Sequence, residues 1–173
     1  MSMAWIAGAN GTGSSASITL SSIPQTYTHL QLRGIVRSAG VGSQIYTRFN
    51  NDGGSNYSTH YLYGDGSGVA AGSGGSPTTV NFFGSMPAST DLANAYASFV
   101  IDILDYTNTN KYTTTKNISG LDVNGSGGFA FFSSSVWMNT AAVTSLTFVA
   151  NASFTTATRI DLYGIATSQI TGA

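Results

Sequence analysis

Hydrophobic and polar residues alternate with a period of two along most of the chain. In residues 28–37, Leu30, Leu32, Gly34 and Val36 fall on one side while Gln31, Arg33, Ile35 and Arg37 take the other. That is the pattern of a strand with one covered face. Comparable runs lie at 17–20, 44–49, 57–63, 78–83, 95–104, 112–118, 129–137, 145–149 and 159–165. They are short, rich in Val, Ile, Thr, Tyr and Phe, and separated by clusters of Gly, Asn, Asp and Ser. No segment keeps apolar residues at helical spacing for more than about two turns. The pattern predicts an all-β chain of about eight to ten antiparallel strands with little helix, arranged as a two-sheet β-sandwich or jelly roll.

The intervening segments read as turns. Asn50-Asn51-Asp52-Gly53-Gly54-Ser55-Asn56 holds left-handed backbone at low cost and reads as a hairpin connection from Phe49 to Tyr57. Asp122-Val123-Asn124-Gly125-Ser126-Gly127-Gly128 reads the same way. The longest soft stretch, 64–77, has the composition of a flexible loop and no domain boundary. A chain of 173 residues is long enough to bury roughly 70% of its unfolded surface as one domain without a disulfide or metal. We therefore expect a single β-sandwich domain over 1–173, with 1–14 and 166–173 as arms that order against a neighbour.

Composition narrows the function. Only 8% of residues are charged, 12% are aromatic, 21 are glycine, and there is neither cysteine nor glutamate. The net charge of −1 provides no electrostatic footprint for nucleic acid or an anionic membrane. The N-terminal residues lack the basic start and apolar run of a signal peptide, so the expected route is synthesis in the cytoplasm without a leader. So sparsely charged a surface favours association, and an oligomer or assembled component is expected.

The inventory for chemistry is thin. His29 and His60 are the two histidines, and there is no G-x-S-x-G elbow to single out a serine for a triad with either. Asp102 and Asp105 are the best carboxylate pair for a glycan hydrolase, yet their spacing on or just beyond one strand points them to opposite faces. Asp102 is expected to meet an arginine from a neighbouring strand or chain, and Asp105 to cap the following turn. The 122–127 segment superficially resembles the start of a calcium loop but lacks the later glutamate, and it is read as an ordinary Asn-Gly turn. No catalytic residue, cofactor or metal site is assigned. Tyr57, Tyr61 and Tyr63 line one strand face, and Tyr106 and Tyr112 bracket an Asn-rich turn. They read as sandwich packing, with a subunit interface or a sugar platform as the alternatives.

Several blocks carry a family resemblance. They are Ser21-Ser22-Ile23-Pro24-Gln25-Thr26-Tyr27-Thr28-His29-Leu30, Arg48-Phe49-Asn50-Asn51-Asp52 leading to Ser55-Asn56-Tyr57, Tyr61-Leu62-Tyr63-Gly64-Asp65-Gly66, the block from Asp102 to Tyr112, the block from Trp137 to Thr147, and Leu162-Tyr163-Gly164-Ile165. In this order they resemble a family of small β-sandwich virion proteins of tailed bacteriophages. The resemblance runs from about Ser15 to Ile165. It implies a non-enzymatic virion structural protein, either decorating the capsid or belonging to a fibre. The absence of a shaft or coiled coil favours a capsid decoration (cement) protein on the virion surface. Its partners would be itself, as a homotrimer or other cyclic oligomer, and the major capsid protein or other virion proteins. The alternative is a tail-fibre or receptor-binding module in which the 64–77 loop and the tyrosines touch host surface glycan.

Overall fold

The computed structural model describes residues 2–42, 44–74, 78–81, 84–125 and 127–166. It is all-β, with twelve strands and no helix among the described residues. In chain order they are β1 (Ser2–Asn10), β2 (Ser17–Leu20), β3 (His29–Val36), β4 (Ile45–Phe49), β5 (Tyr57–Gly64), β6 (Val69–Gly74), β7 (Val80–Asn81), β8 (Ala97–Leu104), β9 (Thr113–Asp122), β10 (Gly128–Trp137), β11 (Leu146–Ala150) and β12 (Arg159–Ala166). Eight form one sheet in the order β1-β12-β3-β8-β9-β10-β5-β6, and four form a second in the order β2-β11-β4-β7. Every pairing is antiparallel.

The two sheets enclose one core, so the expected sandwich is present, with unequal layers. The large sheet contributes Leu30, Leu32, Phe99, Ile101, Ile103, Ile160 and Leu162 to it, and the small sheet contributes Ile18, Leu20, Ile45, Phe49, Leu146 and Phe148. Each set occupies alternate positions of its strands, as a sheet with one covered face requires. Trp137 closes one end, stacked on Phe49 with ring centroids 5.4 Å apart. Gly164 is a packing requirement, because a Cβ there would stand 2.3 Å from the Tyr27 ring that lies over β12.

Three segments differ from the sequence reading. Residues 50–56 do not form a hairpin: β4 belongs to the small sheet and β5 to the large one, so the segment crosses between layers. Asn50 and Asn51 adopt φ of 52° and 55° there, and the Asn50 amide ties the crossing to Ala142, Thr144 and Ser145. Part of 64–77 is a hairpin rather than a loop. Asp65 Oδ1 accepts the Ser67 and Gly68 amides in a tight turn, and Val69–Gly74 returns along β5 as β6. Residues 75–77 lie outside the described residues. Finally, 2–10 of the expected N-terminal arm is an edge strand paired with β12, with a register shift between Trp5 and Ala7. Trp5 Nε1 donates to Asp161 Oδ1 at 3.0 Å across that pairing. Of the expected C-terminal arm, Ala166 closes β12 and 167–173 lie outside the described residues.

β9 and β10 pair as the hairpin that the sequence predicts over 122–128, of which residue 126 lies outside the described residues. Asn124 and Gly125 carry positive φ of 63° and 79°, the backbone that an Asn-Gly pair supplies most readily.

Candidate functional site

The reagents weighed from the sequence do not converge. His29 lies on β3 and His60 on β5, with β8, β9 and β10 between them, so about 19 Å of sheet separates the two strands. His29 Nδ1 accepts the Asp105 amide at 2.9 Å, a bond that fastens the start of the turn after β8. Asp105 adopts φ 49°, its carbonyl accepts the Asn108 amide, and its carboxylate receives the Lys111 ammonium, so it secures the turn as anticipated. Asp102 meets Gln31 Nε2 at 2.8 Å and Lys116 Nζ at 3.9 Å, both from neighbouring strands; a lysine stands where an arginine was expected. Asp122 Oδ1 is taken by the Asn124 amide at 2.7 Å. Among the described residues no three His, Cys, Asp or Glu side chains group together as metal ligands.

The tyrosines face inward or sit apart. Tyr57 is buried, stacks on Phe49, accepts the Phe49 amide and donates to the Asp52 carbonyl. Burial pushes its phenol up to about 12. Tyr61 stacks on Phe131 at 5.5 Å and lies beside Tyr63, both half-buried on the core side of β5. Tyr106 is fully buried and donates to the Pro24 carbonyl, while Tyr112 is exposed.

The carboxylates with displaced acidity are structural. Bonds from Asn56, Trp137 and the Gly54 amide hold Asp52 below its ordinary 3.8. The Lys111 bond does the same for Asp105, and the Arg159 fork, helped by Trp5, for Asp161. With folded values below the unfolded ones, the unfolded chain takes up protons first as pH falls. The stability these groups contribute is therefore whole above about pH 5 and drains as pH drops through about 4 and below. Urea midpoints are expected to be level from about pH 7 to 5 and clearly lower at pH 3, and Asp52→Asn should flatten that acid limb.

The feature that departs from ordinary packing is the face of the large sheet turned away from the small one. In β9, Thr113, Thr115, Asn117 and Ser119 are buried while Ile118 is 62% exposed. In β10, Ser133 and Ser135 are buried while Phe132 is 37% exposed. Polar side chains thus point in beside Phe131 and Trp137 while Ile118 and Phe132 point out, a departure from the usual hydropathy of a half-covered sheet. The inward groups satisfy one another in part, with Thr59 Oγ1 3.0 Å from Ser135 Oγ and Asn117 Nδ2 3.4 Å from Ser133 Oγ.

Register turns the outward residues into a continuous row. Val100 opposes Ile118, Ile118 opposes Phe132, Phe132 opposes Leu62, and Leu62 opposes Ala71. Five adjacent strands, β8, β9, β10, β5 and β6, therefore carry one apolar line across the solvent face, with Leu62 at 55% and Val100 at 39% exposure. One row away lie Asp102, Lys116, Ser134, His60 and Ser73; on the other side lie Ser98, Gly120, Ala130, Gly64 and Val69. Contiguous exposed apolar patches are uncommon on monomeric proteins and concentrate at interaction surfaces.

The charges on this face are spent within the chain. Arg159 forks onto Asp161 at 2.6 and 3.0 Å, Arg33 donates to Gln31 at 2.7 Å and lies over the Tyr163 ring, and Lys116 neighbours Asp102. These five charged groups sit on β12, β3, β8 and β9, Asp122 stands at the end of β9, and the outer faces of β10, β5 and β6 carry no Asp, Lys or Arg. At one end of the face is an open hollow of about 1110 Å³, floored by the small-residue row and rimmed by Tyr96, Asp65 and Asp122.

No protein-family model matches the chain, and comparison with curated proteins and with solved structures finds no match to either.

Proposed function

We propose that this chain is a non-enzymatic structural component of a tailed-bacteriophage particle, a capsid decoration protein that works through contact area rather than chemistry. The observation that carries the assembly part of this reading is the apolar row Val100–Ile118–Phe132–Leu62–Ala71, left open to solvent across five strands of the large sheet. The phage part rests on the resemblance of the sequence blocks between Ser15 and Ile165. A cement protein stabilises a shell by binding its assembled form in many copies, each contributing RT ln(1 + [L]/Kd). Flat β-faces and uncharged edge strands such as β1 and β6 suit that work, since both present area and backbone donors without selecting a small ligand. Saturating protein is expected to raise the melting temperature of shells that lack it, measured by calorimetry; unchanged melting under saturation would remove the cement reading.

The second reading is a receptor-binding or fibre module, and the hollow beside Asp65, Asp122 and Tyr96 is what favours it. It places sugar-competent acceptors and two aromatics, Tyr96 and Phe129, around a concave floor, where the inward tyrosines offer no platform. Direct adsorption of the protein to host cells, with competition against infection, supports this reading, and lack of both removes it.

A further inference from the structure

The row and its flanks are complementary to themselves, and from this we infer that the occupant of the outer face is a second copy of the chain, packed face to face about a two-fold axis running along β10. This rests on the reading of that face as an assembly surface and names its partner. A two-fold interface must match its own surface, with each contact occurring twice. An axis along β10 sets Phe132 against its mate, Ile118 against Leu62, and Val100 against Ala71, because β9 and β5, and then β8 and β6, are equidistant from β10. The same rotation lays Lys116 over His60 and Asp102 over Ser73, so the polar row meets the polar row, and in the third row it lays Gly120 over Gly64 and Ser98 over Val69. Within these three rows no pair of like fixed charges is brought together, and Asp102 and Lys116 keep their partners within the chain.

Area agrees with this occupant. Five strands about 4.8 Å apart, covered over about six residues at about 3.4 Å each, give about 500 Å² per copy, or about 1,000 Å² for the pair. That reaches the size at which specific interfaces begin. A strongly charged partner finds little to pair with here, because β10, β5 and β6 present no Asp, Lys or Arg outward and Arg159, Asp161, Arg33, Asp102 and Lys116 already have partners within the chain.

Sedimentation equilibrium of the whole chain, with crosslinking of single-cysteine variants, tests the inference. The chain has no cysteine of its own, so an introduced thiol reports one position. Wild type is expected to sediment as a dimer at micromolar concentration. Ile118→Lys and Phe132→Asp are expected to sediment as monomers with unchanged circular dichroism and at least 100-fold weaker association. Ser134→Cys, on the axis and outside the apolar row, should be joined to its mate by a short bis-maleimide. Ser98→Cys, two strands from the axis and about 19 Å from its mate, should not. A monomeric wild type, a dimer indifferent to Ile118→Lys, or crosslinking at Ser98 in preference to Ser134 overturns the inference. Should a monomeric wild type still bind shells in a manner abolished by Ile118→Lys, the face docks onto another subunit and only the choice of partner fails. Should it neither dimerise nor bind shells, the assembly reading fails with it.

Discussion

Trp137→Ala is expected to lower unfolding free energy by about 3–5 kcal/mol, the largest single-residue loss in the molecule. Trp137 is almost wholly buried and stacks on Phe49, which in turn stacks on Tyr57. Its Nε1 donates to Asp52 Oδ2 at 2.8 Å, and Asp52 also accepts the Asn56 amide at 2.9 Å and the Gly54 backbone at 2.8 Å. One indole therefore joins the aromatic end of the core to the segment that carries the chain from the small sheet to the large one. Removing it opens a cavity and strips a charged acceptor of a donor together. Trp137→Phe should retain most of the packing and lose mainly the hydrogen bond, so urea titration should rank it well above Trp137→Ala. Equal loss in the two variants would mean that the Asp52 bond, rather than the stack, dominates.

Arg37→Met is expected to cost about 2–4 kcal/mol and to make residues 88–95 readily cleaved by protease, even though it replaces a charge with an apolar chain of similar length. The Arg37 guanidinium is buried and has backbone carbonyls as its acceptors: Leu92 at 2.8 Å, Ala95 at 2.7 Å, Asp91 at 3.1 Å and Ser89 at 3.3 Å. It converts a loop with little regular structure into a fixed wall beside the start of β8. Lysine cannot substitute, because one ammonium does not reach four carbonyls arranged around a planar fork. Arg37→Lys should therefore resemble Arg37→Met in limited proteolysis, and protection by lysine would contradict this role.

The alternation in the sequence identified ten of the strand segments because those strands have one covered face and the period-two signal records it. Leu30, Leu32 and Val36 are buried where the pattern put them. Arg37 stands just past the end of β3, so the alternation that assigned it outward no longer applies. Strands β1 and β6 were missed for a different reason. The run Ala4-Trp5-Ile6-Ala7-Gly8-Ala9 and the run Val69-Ala70-Ala71-Gly72-Ser73 have no polar phase, and they are strands because β12 and β5 offer them a ladder. The Asn50–Asn56 segment has turn chemistry, which fixes local φ but not which sheet the chain enters next.

The apolar row was illegible for a deeper reason. Leu62, Val100, Ile118 and Phe132 are spread over the 71 positions from 62 to 132 and become neighbours only through register. The runs around Ile118 and Phe132 contain buried hydroxyls and an amide inside and hydrophobes outside, so a rule that sends apolar residues inward assigns them to the wrong face. A residue such as Leu62, apolar in the phase opposite Tyr57, Thr59, Tyr61 and Tyr63, is the local signal that this inversion leaves.

The central claim, that this chain works as a surface component of a phage particle, is tested most directly by labelling intact virions with gold-tagged antibody and locating the gold by electron microscopy. Gold distributed over the head is the predicted result. Particles without gold, under conditions in which the antibody captures the free protein, would contradict it.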